Sequence, residues 1–262
     1  MYNGVFNPGL SVTPRESGIG FIYGDDVFGP EAENRKLDDI RKSLLDPTCK
    51  GPEVVYSIAM DVGKKKDKEL LKSMNLLFGV VTYAADRLGC EPVRSQGHMH
   101  KISTRCGWST PEVYEIWSGE AIIYMQETAD HNPGRCFAVR AKPGDVVIVP
   151  PYWIHATISA NPLEPLTFGA WCDRDYGFVY DGVRRHNGIA WFPIFNDNNE
   201  LEWIANPTYE QSPLIEKAPG DYSQLGIEKG KPIYRIFEEK PHIFLYVPNP
   251  KLKENVWTKF EP

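Results

Sequence analysis

Between Val54 and Ile204 the chain alternates short apolar runs with turn-forming residues. Runs at 54–58, 76–83, 112–117, 121–125 and 145–149 are rich in Val, Ile, Tyr, Phe and Trp, and Gly, Pro, Asn and Asp separate them. Branched and aromatic side chains pack well on a pleated surface, so each run predicts a strand. Many short strands at this spacing predict a sandwich or barrel. Ser118-Gly119-Glu120 and Lys142-Pro143-Gly144-Asp145 predict turns, and residues 188–204 predict a hairpin around Asn196-Asp197-Asn198-Asn199. The text differs at both ends. Residues 1–33 are rich in Gly, Pro and acidic residues and predict a loose arm with short extended pieces such as 20–23. Residues 35–45 place Leu37, Ile40, Leu44 and Leu45 at helical spacing until Asp46-Pro47 stops the pattern, which predicts the clearest helix. The lysine-rich stretch 64–72 predicts a solvated connector. Residues 207–262 are Pro-rich, with strands expected at 232–237 and 243–247.

Composition narrows the classes. The chain has 262 residues, 42% hydrophobic and 24% charged, enough for one large domain or one domain plus extensions. The formal net charge of −6 (29 basic against 35 acidic residues) argues against nucleic acid as a partner. A small phosphorylated molecule needs only local donors and stays open. No apolar run is long enough to span a membrane, and the start lacks a basic stretch followed by an apolar one. Cys49, Cys90, Cys106, Cys136 and Cys172 are scattered without a CxxC pair, which predicts free thiols and a cytoplasmic location.

The candidate chemistry lies in Gly97-His98-Met99-His100. Side chains two apart on a strand share a face, so His98 and His100 point the same way. Alone such a pair is weak evidence. Glu112 precedes Gly119 by six intervening residues, five separate Gly144 from Pro150, and His155 follows five positions later. A closed sheet brings these stretches together, with Glu112 expected on the hairpin partner of the histidine strand. Three imidazoles and one carboxylate suit a divalent transition metal, and four protein ligands leave two adjacent positions of an octahedron for substrate. Fe2+ is the first expectation, with Mn2+, Ni2+, Zn2+ and Co2+ as alternatives, one ion per subunit. Glu115 is a rival third ligand, but three positions along a strand it faces the other side.

The spacing resembles the two-part signature of the cupin barrel, a double-stranded β-helix or jelly roll. One departure is the eleven residues 101–111 between His100 and Glu112. Their centre, 103–108, predicts a loop over the mouth, and Arg105 is a candidate anion contact. More specifically, the chain resembles the metal-dependent, cupin-type glucose-6-phosphate isomerases of archaea and some bacteria. The pieces that carry this are Gly97-His98-Met99-His100, Glu112-Val113-Tyr114, Pro143-Gly144-Asp145-Val146-Val147, Val149-Pro150-Pro151-Tyr152-Trp153-Ile154-His155 and Asp175-Tyr176-Gly177. The resemblance covers about residues 35–210, leaving an arm at 1–34 and an extension at 211–262 that packs on the barrel or on a partner subunit. It implies His98, His100, Glu112 and His155 as metal ligands. It implies that Ser95, at a position usually Thr, and the Gly97 backbone hold the sugar phosphate, and that Tyr56, Tyr114 and Tyr176 line the site. Arg174 and Trp171 replace a family histidine and tyrosine, which bears on substrate contacts more than on the metal.

The implied reaction interconverts glucose 6-phosphate and fructose 6-phosphate, with O1 and O2 of the open-chain sugar on the metal. Glu112, with Tyr114 and His155 beside it, is the candidate catalytic group. Proton transfer through Glu112 and a direct hydride shift both remain open. Thr82 joins Ser95 and Gly97 as a candidate phosphate contact. Competing readings are an Fe(II) dioxygenase, an isomerase for another phosphosugar, and a non-catalytic sugar-binding cupin. A homodimer paired through sheet edges is expected. His131, His186, His242, Lys64-Lys65-Lys66 and Arg184-Arg185 read as surface or turn residues, Tyr152 and Trp153 as packing, and Cys106 and Cys172 as poor nucleophiles.

Overall fold

Strands buried on both faces build the centre of the molecule. In the computed structural model, which describes residues 6–16 and 18–262, the predicted apolar runs form two facing sheets. The larger has the strand order Val146–Val149, Glu112–Ser118, Leu166–Asp173, Leu76–Tyr83, Val54–Met60, Glu33–Lys36. The smaller has Ile154–Ser159, Ala121–Gln126, Cys136–Ala141 and Leu214–Lys217. Neighbours in the larger sheet are antiparallel, and Leu214–Lys217 joins the smaller sheet in parallel. Inward residues such as Tyr114, Ile116, Ile123, Met125, Phe137, Val139 and Phe168 form the core between the sheets. This is the mainly-β cupin jelly roll that the spacing predicts.

Outward residues of both sheets are covered too, which is why nearly every strand position is buried. Phe78, Val80, Val113 and Trp171 pack against Leu10 and Phe21 from the arm and Tyr234, Phe237 and Phe244 from the extension. On the smaller sheet, Ile122, Tyr124 and Ile158 pack with Val183 and Ile189, and the hairpin of Trp191–Phe195 with Leu201–Ala205 lies nearby.

Four expectations need correction. The helix expected over 35–45 is short: Glu33–Lys36 is an edge strand, followed by one helical turn, Leu37–Ile40, and a 3-10 turn. Pairing with Val54–Met60 takes Arg35 and Lys36 out of the helix. The connector at 64–72 contains a helix, Lys68–Ser73, and Lys64 is an ion-pair partner of Glu238 at 2.6 Å. The strands expected at 232–237 and 243–247 are helical, Ile233–Glu239 and Pro241–Tyr246. Ile233, Tyr234, Ile236 and Phe237 are buried, a helical face laid over the larger sheet. Residues 1–5 and Ser17 of the expected arm lie outside the described residues.

Candidate metal centre

Four separated stretches meet at one end of the barrel interior. His100 ends the two-residue strand Met99–His100, and His98 bridges to His155 through reciprocal backbone hydrogen bonds of 3.0 and 2.9 Å. Glu112 opens the strand Glu112–Ser118 in the opposite sheet. Ligand atoms of His98, His100, Glu112 and His155 all lie within 4.8 Å of one another. Glu112 is not on a hairpin partner of the histidine strand, contrary to expectation: Met99–His100 pairs with Phe178–Val179, Glu112–Ser118 pairs with Val146–Val149 and Leu166–Asp173, and only a single bridge from Ile102 to Ser109 closes the segment between them. The turn before His155 holds Tyr152 at φ 72°, a left-handed conformation uncommon for a bulky residue.

The donor set fits a divalent cation. A carbonyl can only accept, so His100 Nδ1–H donates to Thr110 O at 2.8 Å and His155 Nδ1–H to Trp153 O at 3.3 Å. Both bonds leave Nε2 with its lone pair for the interior. His98 Nε2 and His155 Nε2 are buried without a hydrogen-bond partner. Orphaned buried nitrogens are costly unless something occupies the point they share. Glu112 Oε2 lies 3.3 Å from Nε2 of both His100 and His155.

Electrostatics keeps Glu112, His98 and His155 in the forms that could bind a cation, while His100 is drawn toward its protonated form. Burial alone would raise Glu112, but contact with His100 and His155 holds it well below the usual carboxylate range. Burial pushes His98 well below the ordinary imidazole value, helped by His155 and His100. Burial also lowers His155 against the pull of Glu112. In His100 burial is outweighed by Glu112, which raises it. Tyr114 Oη donates to Glu112 Oε2 at 2.7 Å, and burial, then the carboxylate, pushes that phenol far up. Cys172 Sγ donates to Glu112 Oε1 at 3.3 Å, a contact that strand parity with Phe168 and Ala170 places inside.

A cavity opens beside the cluster, lined by His98, Glu112, Tyr114, Ser95, Gln96, Thr157, Tyr56, Tyr83, Tyr180 and Arg35. Ile58, Met60, Val81 and Phe168 complete its wall. A larger groove of about 950 Å³ lies elsewhere, between the 138–146 region and 216–230, but its charges are mixed and hold no His cluster.

The candidate substrate residues divide. Tyr56, Tyr114 and Ser95 line the cavity, and Ser95 Oγ accepts Thr157 N–H at 3.1 Å. Thr82 does not line it. Val81 and Tyr83 face the interior, so Thr82 faces away and bonds Thr167 Oγ1 at 3.1 Å. Gly97 turns its Cα toward the outer layer, at φ 91°, where a Cβ would meet Ile189 at 2.6 Å. Tyr176 stands outside the lining against Phe178, and Tyr180 takes the inward place. Trp171 is fully buried in the outer core against Phe78 and Tyr234, so its departure from the family pattern does not touch the cavity. Arg174 pairs with Asp61 at 2.7 Å. Glu115 faces the outer core, bonded by Ile233 N–H at 2.7 Å. Arg35, Tyr83 and Tyr180 went unread in the sequence, and Cys172 was read only as a poor nucleophile. Parity with Tyr56 or Phe168 is the signal for Tyr83 and Cys172, whereas Arg35 depends on an unpredicted edge strand.

Comparison with known proteins adds the family. The model of the family described as Glucose-6-phosphate isomerase (GPI) matches residues 38–210. A glucose-6-phosphate isomerase of Pyrococcus abyssi is 26% identical over 182 residues, 67% of this chain and 87% of that protein. One from Pyrococcus furiosus is 25% identical over 191 residues, 71% of this chain and 92% of that protein. A solved mutant of Bacillus subtilis oxalate decarboxylase shares 16% identity at a TM-score of 0.36, covering 62% of this chain and 32% of that one. Among the described residues no helix is long and apolar enough to cross a membrane.

Proposed function

The chain belongs to the glucose-6-phosphate isomerase (GPI) family, and from that premise we propose that it interconverts glucose 6-phosphate and fructose 6-phosphate with a divalent metal held by His98, His100, Glu112 and His155. The observation that carries this reading is the meeting of those four side chains within 4.8 Å beside a cavity furnished with hydroxyls. When bound, the metal supplies Lewis acidity to the sugar's carbonyl end, with Fe2+ the first candidate and Mn2+, Ni2+, Zn2+ or Co2+ behind it.

The chain's own groups do the rest. Three imidazoles with their Nε2 atoms facing inward orient the site before substrate arrives, so little reorganisation accompanies reaction. Among the described residues Glu112 is the one carboxylate lining the cavity, and it serves as the base that takes the proton from C2 or C1 of the open-chain sugar and returns it to the neighbouring carbon. Tyr114 holds Glu112 Oε2 and keeps its own proton because burial has pushed its phenol far up. Ser95 and Tyr56 bind the remaining hydroxyls and phosphate, and the apolar wall excludes water. Backbone recognition by Gly97 and contact by Tyr176 at the rim belong to the same proposal; Thr82 does not. Ile58, Met60, Val81 and Phe168 favour a second reading, an Fe(II) dioxygenase for an apolar compound. The test is a coupled assay with fructose 6-phosphate and added Fe2+ or Mn2+, with and without chelator. Metal-dependent turnover supports the isomerase; oxygen consumption without isomerisation supports the alternative.

A further inference from the structure

Arg35 is one of two formally charged side chains lining the cavity, the other being Glu112. It lies three positions before the stretch that matches the family, on the edge strand Glu33–Lys36. Its register partner is Tyr56, an inward residue, so Arg35 shares that face. Immediately afterwards the pairing shifts between Arg35 and Lys36, a bulge of the kind that re-aims side chains beside sites.

The guanidinium is only partly satisfied. Its Nε is buried without a hydrogen-bond partner, and no ion pair engages it among the described residues. Tyr56 is a side-chain hydrogen-bond partner of the guanidinium, and Tyr56 and Tyr180 both interact with it electrostatically. A second arginine stands behind: the Arg184 guanidinium lies 4.8 Å from the Tyr180 ring centroid and donates from Nε to Gln96 Oε1 at 3.1 Å. Arg184 also has no acidic partner among the described residues; it is exposed, on the solvent side of Tyr180, which therefore has an arginine of the cavity wall and one outside it as neighbours. Native proteins pair a partly desolvated arginine with an acid or leave it for a ligand. A guanidinium presents a planar fork that matches two phosphate oxygens.

We propose that Arg35, backed by Arg184 across Tyr180, receives the phosphate group of the substrate. This rests on the isomerase reading and adds a specificity residue from outside the family's matched region. The sugar then spans the cavity from Arg35 to the His98–His155 cluster, and unphosphorylated hexoses lack the group that Arg35 grips.

The test uses the full metal-loaded chain with Arg35→Met and Arg35→Lys. If Arg35 grips phosphate, Arg35→Met raises both the KM for fructose 6-phosphate and the inhibition constant of inorganic phosphate about tenfold or more. The kcat should stay within about threefold and metal content should be unchanged, the pattern of lost ground-state binding. Arg35→Lys should fall between. An unchanged KM and inhibition constant in Arg35→Met would overturn the proposal. If the wild type shows no isomerisation, the functional reading fails separately, and thermal protection by inorganic phosphate decides about Arg35. Protection lost in Arg35→Met supports the site; equal protection, or none in the wild type, refutes it.

Discussion

Tyr114 donates to Glu112 from two positions along the same strand, 2.7 Å from Oη to Oε2, so a phenol and a ligand-type carboxylate share one inward face. A hydrogen bond to a buried charge contributes about 1.5–3 kcal/mol. Tyr114→Phe keeps the ring in the core and removes only that bond. The kcat for fructose 6-phosphate should fall about 10- to 100-fold with metal content unchanged. Steady-state kinetics beside elemental analysis checks it; a variant as fast as the wild type would remove Tyr114 from the catalytic group.

His155 is the candidate ligand that joins the two sheets, since its backbone bridges His98 and its ring meets Glu112 across the interior. His155→Ala should reduce bound transition metal below about a tenth of the wild-type content, and activity with it. Chelator treatment of the wild type should give the same loss, restored by Fe2+ or Mn2+. Full turnover by a metal-free His155→Ala protein would end the metal reading.

The convergence of four side chains was legible in the spacing: His98 and His100 by strand parity, Glu112 and His155 by the turns at Gly119 and Pro150. The inner strands were legible because their Val, Ile and aromatic runs are bounded by turn residues. Strand parity turns Thr82 away from the cavity, since its neighbours Val81 and Tyr83 face inward. The Ile233–Glu239 helix was hidden because its buried face is made of Ile, Tyr and Phe, residues that favour strands, although 233, 234, 236 and 237 follow helical spacing. Arg35 could not be found from local pattern, since sheet pairing with Tyr56 overrides the helical periodicity around it.

Trp171 tests the separation between core and site. It is fully buried among Phe78, Tyr234 and Phe237, on the face of its strand opposite Cys172. Trp171→Ala should cost about 3–5 kcal/mol of stability, read from the denaturant midpoint. The KM of the protein that remains folded should be unaltered. A raised KM at unchanged stability would return Trp171 to the substrate cavity.

Glu115 makes stability depend on pH. Burial pushes its carboxyl up to about 8, against the N–H groups of Ile233 and Trp117, which favour the ionised form. In the unfolded chain the same group titrates near about 4.3. Below that value both states hold the proton, and the neutral acid's contribution is complete. As pH rises toward about 8 the unfolded chain releases its proton while the folded chain retains it, so stability falls by at most about 1.4 kcal/mol per pH unit. Glu115→Gln has no proton to lose. Melting temperatures measured from pH 5 to pH 8 (range set by about 4.3 and about 8) should decline more steeply for the wild type than for the variant. Parallel curves would mean that Glu115 is ionised where it lies, with its charge carried by the two N–H donors.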